Sequence, residues 1–240
     1  LFIVCFSLLL VTSTARVGVS SVHLYQYGFH KYQVSQVTGI DEMQLKEVAR
    51  TLVEYFNYKL DTPQMKVIKQ PQPSLRGEGE AIAEDGIEID LFQEHELVHL
   101  EDVRNLFQFI YLVQAVSLAY VIIYVLLFLL WRKGRWQDLV KGVKWGCVLI
   151  LCFIGVIGII SFFGFEQLFI QFHYLTFGDP ASSPWVLDPS KDYLIMLFPP
   201  PFWENITMLG GITIAVEALI LGVIAWLVPF LYQRRRLTKP

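Results

Sequence analysis

His95-Glu96-Leu97-Val98-His99 is an H-E-x-x-H run. On a helix that spacing puts two imidazoles on one face, where they can hold zinc with Glu96 beside a bound water as general base. A third protein ligand would be required, and the downstream candidates are Glu166, His173, Asp179 and Asp188. The same histidine also supports a second chemistry. His99 shares a helical face with His95 and Asp102, and His173 arrives from a distant stretch with Asp188 and Asp192 following it. A carboxylate accepting from one ring nitrogen fixes the tautomer and leaves the other nitrogen as a base near neutral pH. Each reading has a plainer counterpart: five-residue matches recur by chance, and histidines and aspartates commonly solvate helix ends. Glu217, deep inside an apolar segment, is costly there at ~2.5–3.5 kcal/mol. It is either a functional carboxylate facing protein or water, or a protonated packing residue.

These residues must be positioned by elements that the composition identifies. The chain has 240 residues, and 54% of them are hydrophobic. Four segments carry that excess, about 1–20, 106–130, 145–165 and 208–232. Each is close to the ~20 apolar residues that a helix needs to cross a bilayer, and uninterrupted runs of this length predict helices rather than a barrel. The expected fold is all-α: a single polytopic membrane domain, four transmembrane helices with a small extracytoplasmic cap. Segment one is read as a retained span, although Ser13-Thr14-Ala15 loosely resembles a leader-cleavage site. His99 precedes the second span and His173 follows the third, so both imidazoles emerge at one membrane face.

Lys and Arg set the orientation. Arg132, Lys133, Arg135, Lys141 and Lys144 lie between spans two and three, and Arg234, Arg235, Arg236 and Lys239 follow span four. By the positive-inside rule both clusters, and both termini, are cytoplasmic. Regions 21–105 and 166–207 then face outward, with 15 Asp/Glu against 8 Lys/Arg in the first and 5 against 1 in the second. That acidic face argues against nucleic acid as a partner. Cys5, Cys147 and Cys152 all fall in spans, where cysteine behaves as a small apolar residue and builds no disulfide framework. Asn205-Ile206-Thr207 matches a glycosylation sequon but abuts the membrane. No Gly-rich phosphate loop occurs, and Ser182-Ser183 has no nucleophile elbow around it, so nucleotide binding and acyl-enzyme hydrolysis lack local support.

Within the first outer region, Asp41 and Gln44 read as a capping box. Leu45, Val48, Ala49, Leu52, Val53 and Phe56 then recur at helical spacing until Thr62-Pro63 stops the helix. Gln64–Asp90 reads as a loop, with a flap around Gly77–Gly86 and a weak strand over Met65–Lys69. From Leu91 a helical pattern runs into span two. In the second outer region, Leu194–Phe198 between aromatic residues predicts a segment lying in the membrane interface, and Trp131, Trp136 and Trp145 mark the opposite belt. Gly142 and Gly146 form a G-x-x-x-G spacing at the end of span three that could permit close helix packing.

One arrangement of residues runs through nearly the whole chain. Tyr25-Gln26-Tyr27-Gly28-Phe29, then His99-Leu100-Glu101-Asp102-Val103, then Phe172-His173 occur in order. Phe177, Trp185, Asp188-Pro189, Asp192, Leu194-Ile195 and Phe198-Pro199 follow. The set resembles a family of four-span bacterial membrane proteins that includes the lipoprotein intramolecular transacylases. The resemblance implies transfer of an acyl chain from the glycerol ester of a diacylglyceryl-modified lipoprotein to its N-terminal α-amine. Partners would be such lipoproteins and membrane lipid, with no nucleotide, and the site would sit at the outer leaflet of a bacterial cell membrane. No cofactor or metal is implied. His173 and His99, with Asp102 orienting the latter, would supply acid/base catalysis. Asp188 and Asp192 would hold the amine or shape the second outer region, and Phe172, Trp185 and Trp203 would line the acyl-chain entry. His95 departs from that pattern and keeps a membrane zinc metallopeptidase as the alternative, with a non-catalytic scaffold third.

Overall fold

The computed structural model describes residues 1–70, 86–130, 136–181 and 183–237, with side chains as far as Val228. Most of the Gly77–Gly86 flap lies outside the described residues, as do Trp131, Arg132, Lys133, Arg135, Ser182 and Lys239. The elements run α1 (Phe2–Val19), α2 (Val22–Lys31), α3 (Val34–Thr38), α4 (Glu42–Phe56), β1 (Lys66–Lys69), β2 (Ile87–Asp90), α5 (Glu94–Leu130), α6 (Trp136–Phe177), α7 (Tyr193–Leu197) and α8 (Pro200–Leu237). The protein is mostly helical, and α1, α5, α6 and α8 are each long and apolar enough to cross a membrane. Helices α5, α6 and α8 outrun their apolar segments because polar residues continue the helical pattern beyond them, whereas α1 stays within its own. Helix α8 starts at Pro200, where proline at the first helical position sacrifices no intrahelical bond. The α6 ladder is interrupted at Gly164. The described residues group into two compact units.

Unit 1 comprises Leu1–Arg16, Phe109–Phe165 and Thr207–Pro240. In lipid, apolar burial does not drive helices together, so small residues and internal hydrogen bonds must. Both are present. A Cβ on Gly142 would lie 2.8 Å from the Phe2 ring, and one on Gly146 would lie 2.6 Å from the Phe6 ring, so the two glycines admit α1 against α6. Ser7 Oγ donates to the Gly146 carbonyl at 3.1 Å. Helices α6 and α8 meet through Cys147, Ile150, Ile214 and Ala218, so Cys147 serves as the small core residue expected of it. Glu217 accepts a hydrogen bond from Thr14 at 3.2 Å, and Gln114 bridges Ser13 and Arg16 at 3.0 Å each.

Unit 2 comprises Val17–Gln108 and Glu166–Ile206. Its core is one cluster running from Tyr25 and Phe29 through Val34, Ile40, Leu52 and Leu100 to Leu197 and Phe202. Asp41 caps α4, accepting from the backbone N–H of Met43 and Gln44 at 2.8 and 2.9 Å. The expected capping box is only half formed. The Gln44 amide reaches Asp41's side chain and both backbone groups of Ile68 instead, at 2.6 and 3.1 Å, and so closes one edge of β1. Gln64 treats Phe92 in the same way.

Helix α4 ends at Phe56, before Thr62-Pro63, because Asn57 caps it through Val53 and Tyr58 takes a left-handed φ of 57°. Arg104 then stacks between Tyr55 and Tyr58 and donates to the carbonyls of Leu60 and Asp61. The loop expected over Gln64–Asp90 contains a second strand: β1 and β2 pair antiparallel, Lys66 opposite Asp90. The segment expected to lie in or dip into the membrane interface contains α7, and Leu194, Leu197 and Phe198 are buried in this unit's core. The amide of the sequon residue Asn205 is engaged by Tyr32, Lys31 and the Pro201 carbonyl.

Candidate active site

The site is built inside unit 2, and its floor is set by Glu96. This residue is fully buried, and its carboxylate accepts from the Gln93 N–H at 2.8 Å and from the Leu194 N–H at 2.6 Å. It thus satisfies free backbone donors at the starts of both α5 and α7. Both oxygens are occupied by backbone, so Glu96 is a structural tie rather than a base waiting beside a metal-bound water. His95 Nε2 turns to Asp192 Oδ1 at 3.1 Å. Among the described residues, no three His, Cys, Asp or Glu side chains are grouped to hold a metal ion. The side chains of the H-E-x-x-H match therefore turn to separate partners rather than to one shared point.

One turn further along α5, His99 meets His173 of α6. Their ring centroids are 6.0 Å apart with planes inclined by 33°. Both are buried, at 6% and 8% exposure. His173 Nδ1 lies 2.8 Å from the carbonyl of Phe169, one turn back on α6. A carbonyl only accepts, so Nδ1 carries the proton and Nε2 holds the lone pair in the neutral ring. Aromatic rings enclose the pair. Phe169 lies 4.2 Å, Trp185 5.2 Å, Phe177 5.4 Å and Phe172 5.6 Å from the His173 ring, and Phe177 also meets His99 edge-on at 5.1 Å. No described side chain bonds His99 Nδ1, although that atom is buried.

The carboxylates sit elsewhere than the spacing suggested. Asp102 accepts a short hydrogen bond from Ser183 Oγ, in place of the expected bond to His99. Asp192 is buried, accepts from the Asp188 N–H at 2.7 Å and faces His95. Asp188 is exposed in a tight turn. The hydroxyl and N–H of Ser190 hold its carboxyl below the usual carboxylate range, with Lys191 adding to the effect. Trp185 lies against His173, whereas Trp203 stacks towards Phe169 and Phe198. Of the predicted site residues, His99, His173, Phe172 and Trp185 come together; Asp102 is tied to their margin through Ser183, whereas Asp188 bonds Ser190, Asp192 bonds His95 and the Asp188 N–H, and Trp203 packs on Phe169 and Phe198. Phe169 was the residue missed, and its position four before His173 on one helix is the signal that could have found it.

The family model described as lipoprotein intramolecular transacylase Lit matches residues 1–203. The chain belongs to the Lit family. Lit is a lipoprotein intramolecular transacylase, so this is an acyltransferase. The fold agrees. The membrane integral lipoprotein intramolecular transacylase Lit from Bacillus cereus, solved in meso, superposes with a TM-score of 0.67 at 19% identity, covering 98% of this chain and 95% of that one. A variant of the same Bacillus cereus protein with a histidine replaced by arginine gives 0.66 at 18% identity, covering 99% and 92%. No curated protein sequence matches the chain. Family and fold together favour the Lit reading over a metallopeptidase or a scaffold.

Proposed function

We propose that the His99–His173 pair is the catalytic centre for intramolecular transacylation. In this reaction one acyl chain moves from the glycerol ester of a diacylglyceryl-modified lipoprotein to the α-amine of its N-terminal cysteine. The observation that carries this reading is two buried imidazoles 6.0 Å apart in an aromatic enclosure. The amine nitrogen attacks the ester carbonyl, the tetrahedral intermediate collapses, the glycerol C–O bond breaks and an amide C–N bond remains. One proton moves from nitrogen to the glycerol oxygen. His173 Nε2, free because Nδ1 is tied to Phe169, takes the amine proton and returns it to the leaving oxygen. His99 donates to the developing oxyanion or serves as the second acid/base group. Donor and acceptor sit on one substrate molecule, so orientation alone can supply about 7–11 kcal/mol in well-aligned cases. No protein nucleophile is needed. The rings of Phe172 and Trp185 would receive the acyl chain. The positive-inside pattern supports cytoplasmic termini and a site at the outer leaflet, where lipid-anchored substrates reside.

The test is tandem mass spectrometry of a reporter lipoprotein's N-terminal peptide from cells with and without this chain. Transfer yields an isomer, so the fragment bearing the α-nitrogen must be read. An N-acyl fragment that depends on the chain, and that disappears with His99→Ala or His173→Ala, is expected. Persistence of the fragment in both variants would remove the histidine mechanism.

A further inference from the structure

The described residues of the loop after α6 form a hydrogen-bonded turn, and a side-chain bond ties that turn to α5. Ser183 N–H donates to the Asp179 carbonyl at 3.0 Å, and Trp185 N–H donates to the Ser183 carbonyl at 2.9 Å. Asp179 Oδ1 accepts from the Ala181 N–H, and Trp185 Nε1 donates to the Gly178 carbonyl at 3.1 Å. These bonds fix the turn internally and hold the indole to the end of α6. The bond to α5 is made by the Ser183 hydroxyl, which is 9% exposed and donates to Asp102, three residues beyond His99 on that helix. The residue two positions after Ser183 is Trp185, whose ring faces His173 at 5.2 Å and Tyr174 at 5.0 Å.

We propose that Ser183 is a positioning residue of the transacylase site: its bond to Asp102 latches the turn to α5 and so seats Trp185 against His173. The inference rests on the histidine pair being the reactive centre. His173 is held at Nδ1 by Phe169, and the packing of neighbouring rings sets the rest of its orientation. Phe169 closes one flank at 4.2 Å, and Trp185 closes another. Releasing the latch leaves the indole held only from the α6 side, by Gly178 and Tyr174 among its described contacts, so it packs less firmly on His173, admits water to the ring and loosens the aim of Nε2 towards the amine. Asp102 then acts through Ser183 and Trp185 rather than by orienting His99.

The experiment uses full-length protein in detergent micelles, with a synthetic diacylglyceryl-cysteine peptide as substrate and 5-fluorotryptophan labelling. The Trp185 resonance is assigned from Trp185→Phe. Ser183→Ala and Asp102→Asn should each lower kcat on the order of tenfold with KM changed far less, the size expected when a buried hydrogen bond to a charged group is lost. The double variant should be no slower than the slower single one, because both remove the same bond. Ser183→Thr, which keeps the hydroxyl, should restore most of the rate. The Trp185 fluorine resonance should shift and sharpen in Ser183→Ala and return in Ser183→Thr. Unchanged kcat and an unmoved Trp185 resonance in Ser183→Ala would overturn the latch, as would losses that multiply in the double variant. Wild-type protein that makes no N-acyl product would refute the transacylase reading, while the fluorine resonance, which needs no turnover, would still decide the latch.

Discussion

Replacing Glu96 tests whether the H-E-x-x-H run is architecture or metal chemistry. The side chain is fully buried and accepts two backbone N–H groups, those of Gln93 and Leu194, at 2.8 and 2.6 Å. A buried donor left without an acceptor costs about 1–3 kcal/mol. Glu96→Ala orphans the buried Leu194 N–H, for about 1–3 kcal/mol before any cavity contribution, while the N–H of exposed Gln93 can turn to water. Glu96→Gln keeps one acceptor oxygen for the Leu194 N–H, so less is lost. For a chain of this size each kcal/mol lowers the melting midpoint by roughly 2–4 °C. Glu96→Ala should therefore melt several degrees lower, with Glu96→Gln between it and wild type, in thermal unfolding of purified protein in micelles. A chelator should change neither the midpoint nor the N-acyl product. A wild-type midpoint in Glu96→Ala would refute the structural tie. If Glu96→Gln also abolished activity at full stability and the chelator mimicked it, a metal site would be the better account.

Three further outcomes follow from close contacts and caps. A Cβ on Gly28 would overlap the ring of Phe202, which is itself buried, so Gly28→Ala should cost about 1–3 kcal/mol by overpacking, and Phe202→Leu in the same chain should recover part of it. Gly146→Ala should lower the melting midpoint because its Cβ would meet Phe6 at 2.6 Å; Gly155→Ala, with open space around it, should leave the midpoint unchanged or higher. Asp41→Ala removes the α4 cap and should cost about 1 kcal/mol. The Gln44 N–H is the main group holding Asp41's carboxyl below its ordinary range, so the wild-type cap contributes fully above the unfolded value near ~3.9. Its contribution fades as pH falls through the lower folded value, and the difference between Asp41→Ala and wild type should shrink on acidification below about pH 4.

The spans were legible because a long apolar run in lipid has one backbone solution, and α4 was legible because Asp41 and a 3.6-residue period announce it. The histidine pair was legible for a related reason: span ends fix depth, so residues 74 positions apart could be placed on one face. What the sequence concealed were partners chosen by tertiary packing. Ile87–Asp90 lies in a Gly- and acid-rich stretch, and its strand character appears only once β1 is opposite. Glu96 looked catalytic because its neighbours are histidines, and nothing local shows that its acceptor capacity is claimed by Leu194, 98 residues away. Asp102 fell on the expected helical face yet bonds Ser183, because a serine in a turn could reach it and the imidazole of His99 turned to His173.

The contact between Ser7 and Gly146 has a bearing on how the protein is made. Those residues are 139 positions apart, and Thr14 and Glu217 are 203 apart. At synthesis rates of ~5–20 residues per second, the first helix waits roughly 7–28 s for the glycine groove that receives it, and longer for Glu217. Throughout that interval its two hydroxyl-bearing faces have only self-made bonds, Ser7 to Ile3 and Thr12 to Leu8. The newborn helix is thus a client for the insertion machinery during those seconds, and substitutions at Gly142 or Gly146 would prolong that dependence and expose the chain to membrane proteases before it ever meets a substrate.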